Sequence, residues 1–354
     1  MKNSMIHIDS YEITDNSNVF IIAELSANHN QDLQLAMDTI KAAKRAGADA
    51  IKLQTYTPDT LTIDCNNEYF QINQGSLWDG KTLYDLYKEA YTPWDWHEKL
   101  FAVAKEEGLV CFSSPFDTTA VDFLERLNAP AYKIASFEIQ DIPLIKYVAQ
   151  KGKPIILSSG IATKEDIELA INTCREVGND QIIVLKCTSS YPAPIELANL
   201  NTMLDLKNSF GVQIGLSDHT YGGLVPVVAT TLGAKIIEKH FILNKSIGGP
   251  DSDFSLDETE FAEMVKNVRE AEKAIGNVTY ELSEKVEKNR KFARSLFIVK
   301  DIKAGEIITE EHIRSIRPGY GLHPKYYDQI IGKTISLALE RGTPLKKEMF
   351  NLED

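Results

Sequence analysis

Between residues 20 and 241 the chain sets out eight short apolar, β-branched runs, each followed by a stretch of helical spacing. That count constrains the fold more than any other feature. The runs read FIIAEL (20–25), AIKLQTY (50–56), LVCFSSP (109–115), AYKIAS (131–136), PIILSS (154–159), IIVLKC (182–187), VQIGLSD (212–218) and IIEKHF (236–241). Between them, pieces such as LQLAMDTIKAAKRAGA and KEDIELAINTCREVG place apolar residues three and four apart and stop at glycine, as amphipathic helices do. Strand and helix alternating eight times predicts a closed, parallel (β/α)8 TIM barrel. The rival is an open doubly wound sheet, but no GxGxxG follows the first strand. The segment 57–100, rich in Tyr, Trp, Asn and Gly, reads as a long loop after the second strand, and long loops in a barrel belong to the active face.

After the last strand comes one more helical stretch, DETEFAEMVKNVREAEKAIG, then the charged SEKVEKNRKFAR. The composition changes from about Ser295, where the chain becomes short-run and turn-rich. IKAGEIITEEHI (302–313) is echoed by LERGTPLKKEMF (339–350), with Gly305 matching Gly342 thirty-seven positions on. Two similar units predict a small β-rich domain with pseudo-symmetry. The expected division is therefore a barrel over 1–280, a linker over 281–294 and a compact domain over 295–354.

Nothing in the sequence suggests a membrane span, which needs roughly 18–20 uninterrupted apolar residues, and the N-terminus lacks the apolar core of a secretory signal. Cys65, Cys111, Cys174 and Cys187 form no CxxC pair, and two of them sit in strand-like runs, so reduced thiols in the cytoplasm are expected. The net charge of −13 argues against a nucleic-acid surface. An anionic substrate would then need a local cationic pocket.

The strand ends supply one. In a barrel, residues at the C-terminal ends of the strands face the substrate. These ends carry Glu24, then Lys52 and Gln54, then Ser113 and Ser114, then Lys133, Ser136 and Glu138. They continue with Ser158 and Ser159, then Lys186, Ser189 and Tyr191, then Ser217, Asp218 and His219, and finally Glu238, Lys239 and His240. Taken singly, each is also explained as a paired buried charge or a helix cap. Together at one end of one barrel they describe a site. The seventh and eighth strands are neighbours in a closed barrel, so His219 and His240 can share one divalent ion such as Mn²⁺, Zn²⁺ or Fe²⁺. Lys52, Lys133 and the serine hydroxyls suit a compact polyanion such as a phosphate ester. Carbon–carbon bond chemistry, or phosphate chemistry at a carbonyl, is the reaction class this implies.

The motifs FIIAELSANHNQDL, GADAIKLQTY, SSPFD, PAYKIAS, KPIILSSG, CTSSYP, IGLSDHT and EKHF…GGPDSDFSL occur in that order, and the chain resembles the sialic acid synthase (nonulosonic acid synthase) family. The tail, with IRPGYGL, resembles the antifreeze-like (SAF) domain of its bacterial members. The resemblance implies a cytoplasmic transferase that condenses phosphoenolpyruvate with an amino sugar. LWDGKTLYDLYKEAYTPWDWH (77–97), CTSSYPAP and GGPDSDFSL resemble the branch that makes pseudaminic acid from 2,4-diacetamido-2,4,6-trideoxy-L-altrose. N-acetylneuraminate and legionaminic acid synthesis are the alternatives within the family. A Schiff-base aldolase and a non-catalytic carbohydrate-binding protein are the alternatives outside it.

Carried over by position, the resemblance assigns the metal to His219 and His240, with Mn²⁺ first and Mg²⁺ or Co²⁺ as alternatives. It assigns catalysis to Glu24, Glu138, Lys52 and Lys133. Substrate contacts fall to Gln54, Ser114, Phe116, Ser136, Ser158, Ser189, Tyr191, Ser217, Asp251 and Arg317. It also implies a domain-swapped homodimer in which Arg317 reaches a partner subunit's barrel.

Overall fold

The computed structural model describes residues 5–73, 78–350 and 352. Leu77, which begins one of the quoted motifs, lies outside them. Eight parallel strands close into a barrel: Phe20–Glu24, Ala50–Thr55, Val110–Pro115, Tyr132–Ile134, Ile155–Ser158, Ile182–Cys187, Gln213–Asp218 and Ile236–His240, the last pairing with the first. Each lies within the run expected from sequence. Every connection carries a helix, and several of these open on a side chain that accepts the orphan N–H groups of the first turn. Asp32, Asp117, Asp141 and Thr163 do so, as does Asp257 on the helix that follows the last strand. Among the described residues, no helix is long and apolar enough to cross a membrane.

Strand alternation sorts the side chains into two cores. Ile21, Ile51, Ile155, Val184, Leu216 and Ile237 point outward and pack with the helices. Phe20, Ile22, Ala50, Val110, Phe112, Ile156, Leu185 and Ile236 fill the barrel interior. Going up the strands from this apolar plug, the same inward parity arrives at Glu24, Lys52, Gln54, Ser114, Lys133, Ser158, Ser217, Glu238 and His240. The barrel is therefore dry at its base and polar at its mouth.

An N-terminal hairpin, Ile6–Ile8 with Tyr11–Ile13, lies outside the runs expected from sequence. Its Ile6, Ile8 and Ile13 belong to the interior core and cover the base of the barrel.

The 57–100 insertion is partly ordered into short helices at Pro58–Leu61 and Leu83–Ala90. Two buried histidines pin its ends. Gln31 N–H donates to His29 Nδ1, so His29 Nε2 carries the proton and faces Thr92 Oγ1 at 3.2 Å. His97 Nδ1 faces the Pro93 carbonyl, which only accepts, so Nε2 is the acceptor for Thr55 Oγ1 at 2.9 Å. Burial lowers both imidazoles to about 4. A folded pKa below the unfolded value means that the unfolded chain binds the proton first, so stability is lost as pH falls from about 6.5 towards 4. The melting temperature should drop across that window. The double variant His29→Gln/His97→Gln should show a shallower drop, and an unchanged slope would refute the assignment.

The chain divides into two compact units, 1–276 and 277–354. Gly276, at φ +51°, ends the long Glu258–Ile275 helix. The segment expected as a linker contains a short helix, Glu284–Asn289. In the second unit Ser295–Ile298 pairs antiparallel with Ile313–Ile316. The sequence echo is visible in its hydrogen bonds. Ile302 and Leu339 exchange N–H···O bonds with each other. Gly305 N–H donates to Ile335 while Gly342 N–H donates to Ile298, and Ile308 N–H donates to Lys333 while Leu345 N–H donates to Leu296. Each bond maps onto its mate by the same thirty-seven-residue shift, a pseudo-two-fold.

Candidate active site

At the barrel mouth four charged side chains from strands one, two, four and eight are almost wholly buried: Glu24, Lys52, Lys133 and Glu238. Lys52 Nζ lies 2.6 Å from Glu24 Oε2 and 3.8 Å from Glu238 Oε1, and donates to Ser114 Oγ at 3.4 Å. Burial works against the Lys52 ammonium, but Glu238 and Glu24 outweigh it and raise its pKa. Two carboxylates thus compete for one cation. Glu238 is held below its ordinary value because Lys133 and Lys52 overcome the effect of burial. Burial pushes Glu24 up to about 7 despite Lys52. Gln54 Nε2 donates to Glu24 Oε1 and to Ser26 Oγ, both at 3.0 Å.

Lys133 is different. Its Nζ donates to Ser158 Oγ at 2.6 Å and to the Ile134 carbonyl at 3.0 Å. Among the described residues no carboxylate comes within ion-pair distance of it, and burial lowers its pKa. A buried ammonium with only neutral acceptors is a place for an anion. Beside it, Gly160 N–H donates to Ser136 Oγ at 3.1 Å. A Cβ on Gly160 would sit 2.1 Å from Ser189 Oγ and 2.7 Å from Ser136 Oγ, so only glycine leaves this cradle open. Ser217 Oγ donates to Glu238 Oε1 at 3.2 Å.

The His219 and His240 rings meet with centroids 5.2 Å apart. His219 Nδ1 lies 3.1 Å from the Thr188 carbonyl, so that nitrogen carries the proton and Nε2 the lone pair. Burial opposes the imidazolium form of His219, but Cys187, its Sγ 3.8 Å from Nδ1, reverses this and raises the pKa. His240 is driven well below its ordinary value by burial and by His219, so it is neutral. Its Nδ1 is buried without a hydrogen-bond partner and lies 3.8 Å from Asp251 Oδ2. Asp251 in turn accepts from Ser26 Oγ and the Ala27 N–H. Two adjacent imidazoles, one with an orphaned nitrogen, fit a divalent ion. Among the described residues no group of three His, Cys, Asp or Glu side chains is arranged to hold one, so water or substrate oxygens would complete its shell.

Next to the rings opens a cavity of about 440 Å³. Its polar lining includes Ser26, Gln54, Gln71, Ser136, Glu138, His240 and Asp251, and the remainder is apolar and aromatic. Glu138, pushed up to about 7 by burial despite Lys133, has a buried Oε2 without a partner. Phe116 stands on Tyr56, and Tyr191 lies against His219 with ring centroids 4.4 Å apart. The 57–100 insertion supplies the opposite wall with Leu61, Ile72, Trp78, Leu83, Leu86 and Tyr87. Trp78 Nε1 donates to the Pro250 carbonyl, linking this wall to the loop that bears Asp251.

The sequence-assigned residues of the first unit thus gather at one barrel mouth. Arg317 lies in the second unit, before a cis bond to Pro318. Glu238 was noted at its strand end but given no role; its inward parity with His240 was the signal. The 57–100 insertion does lie on the active face, as its length and composition suggest, but the residues of its wall follow no period that singles them out.

A model described as the NeuB family matches residues 39–280, and one described as the SAF domain matches 293–351. A pseudaminic acid synthase from Campylobacter jejuni subsp. jejuni serotype O:23/36 is 52% identical over 332 residues, which is 94% of this chain and 96% of that one. The pseudaminic acid synthase of Helicobacter pylori is 53% identical over 329 residues, covering 93% and 96%. The crystal structure of the Bacillus subtilis spore coat polysaccharide biosynthesis protein SpsE superposes with a TM-score of 0.67 at 32% identity, covering 99% of this chain and 100% of that one.

Proposed function

The chain belongs to the NeuB family, and on that premise we propose that it condenses phosphoenolpyruvate with 2,4-diacetamido-2,4,6-trideoxy-L-altrose and water, giving pseudaminic acid and phosphate. One observation carries the reading: the barrel mouth that holds two adjacent imidazoles also holds a buried lysine with, among the described residues, no carboxylate within ion-pair distance, and His240 of that pair lines the cavity. Lys133, Ser158, Ser136 and the Gly160 cradle take the phosphate and carboxylate. The cavity takes the sugar. Its apolar wall matches an acceptor with two acetamido methyls and a deoxygenated C6, while Gln54, Glu138 and Asp251 meet the polar edge.

His219 and His240 would hold a divalent ion, Mn²⁺ first. When bound, such an ion supplies Lewis acidity at a sugar oxygen. The chain's own residues do the rest. Lys52 and Lys133 stabilise anionic charge as the enol carbon attacks the aldehyde and water adds at the phosphate-bearing carbon. Phosphate then leaves by C–O cleavage. Glu24 and Glu138, both near 7, can hold or give a proton at neutral pH. A Schiff-base route would need a neutral amine; Glu238 and Glu24 hold Lys52 as an ammonium, whereas burial lowers Lys133, so the check on that route is borohydride, which should trap no substrate on the chain.

Phosphate release with three acceptors tests the proposal. The altrose derivative should be turned over with the highest kcat/KM, ahead of N-acetylmannosamine and the legionaminic acid precursor. A clear preference for either of those two overturns the acceptor. For the dimer, Arg317 is proposed to reach the partner barrel and touch an acyl group. Arg317→Ala should then raise the KM for sugar and leave that for phosphoenolpyruvate unchanged; wild-type kinetics would refute the contact.

A further inference from the structure

On the outward face of the last two strands, where the preceding positions Ile214, Leu216 and Ile237 are apolar, stand Asp218 and Lys239. The two residues are direct cross-strand partners. Both are buried, Lys239 completely. Lys239 Nζ lies 2.5 Å from Asp218 Oδ2 and also donates to the Thr220 carbonyl. Asp218 Oδ1 accepts the Thr220 N–H at 3.1 Å, and Oδ2 accepts the Thr220 hydroxyl at 3.1 Å. The two residues flanking His219 are therefore tied to each other and to one ammonium, whose own residue immediately precedes His240.

A buried ion pair is weak evidence for stability, since apolar residues of similar volume often serve as well or better. Its best-attested use is to fix a register. We infer that Asp218, Lys239 and Thr220 form a clamp behind the strands that sets the approach of the two imidazoles on the inner face, making them positioning residues for divalent-ion binding. This rests on the proposed metal role of His219 and His240. Strand pairing fixes the backbones up to Asp218, but the chain turns away at His219. The clamp closes that turn from the side opposite the ring. Without it, the His219 imidazole keeps the Thr188 carbonyl and its own carbonyl keeps the Ala193 N–H, but the turn loses its tie to strand eight, which holds His240 in place.

The test is Mn²⁺ titration of the full-length chain by calorimetry, with melting temperature recorded in parallel. The double variant Asp218→Leu/Lys239→Met keeps an apolar, space-filling pair but takes the partners from buried Thr220, so it should fold with a lowered melting temperature and bind Mn²⁺ about 10–100-fold more weakly, the usual cost of losing an outer-shell support. Thr220→Val deletes one bond and no charge, and should weaken binding in the same direction by less. A folded double variant with wild-type Mn²⁺ affinity overturns the clamp. If that variant does not fold, wild-type affinity in Thr220→Val does so. Loss of binding in His219→Ala with full binding in both clamp variants removes the positioning role and keeps the metal reading. Failure of the wild-type chain to bind Mn²⁺ overturns both.

Discussion

The variant His219→Ala/His240→Ala should lose about 10³-fold or more in kcat while remaining folded. A Lewis acid at the reacting oxygen contributes several kcal/mol, and each 1.36 kcal/mol is about tenfold in rate. The two rings are buried and adjacent at strand ends, His240 lining the cavity and His219 lying against Tyr191, which also lines it, so their removal enlarges an existing space rather than hollowing the core. The melting temperature should therefore change little. Chelator-treated wild-type protein should match the double variant, and added Mn²⁺ should rescue the former only. Because Cys187 favours the protonated form of His219, ion and proton compete there, and Mn²⁺ affinity should rise with pH. A chelated enzyme, or a double variant, with undiminished phosphate release would eliminate the metal from the mechanism.

The barrel was legible because burial on both faces of a parallel strand writes a continuous apolar run, and eight of these were present. The site was legible for a related reason. Once Phe20 and Ile22 are inside, parity places Glu24 inside, and the same step leads from Ile236 through Glu238 to His240. Parity also sends Asp218 and Lys239 to the other face, but residue type alone does not say that two charges on the helix side should exist there. The insertion was legible as an active-face loop, but not its lining residues, because Leu61, Ile72 and Leu86 converge from two short helices and a loop, none long enough to impose a period. The N-terminal hairpin escaped because three residues per strand is below the length at which alternation stands out. The echo in the second unit was legible because pseudo-symmetry repeats Gly305 and Gly342, whose positive φ angles of 87° and 93° favour glycine.

Replacing either buried lysine by methionine should impair phosphoenolpyruvate use, yet the two variants should differ in stability. Lys52 neutralises Glu24 at 2.6 Å and Glu238 at 3.8 Å. Lys52→Met leaves two buried carboxylates short of a cation, a change that costs about 3–5 kcal/mol, and the melting temperature should fall by several degrees. Lys133 bonds only a hydroxyl and a carbonyl, and burial sets its pKa below the ordinary value. A folded pKa below the unfolded one means that its charge opposes folding at neutral pH. Lys133→Met removes that charge and with it one of the two lysine attractions that keep Glu238 ionised, leaving Lys52 at 3.8 Å. Its melting temperature should fall less than that of Lys52→Met, while the KM for phosphoenolpyruvate rises by about 10²-fold, equivalent to about 3 kcal/mol of charge-assisted contact. Stability and affinity measured on both variants separate the roles. If Lys133→Met melts as low as Lys52→Met, Lys133 serves the fold. If it melts higher and still saturates with phosphoenolpyruvate at wild-type concentrations, the anion binds elsewhere and the assignment of the phosphate cradle fails.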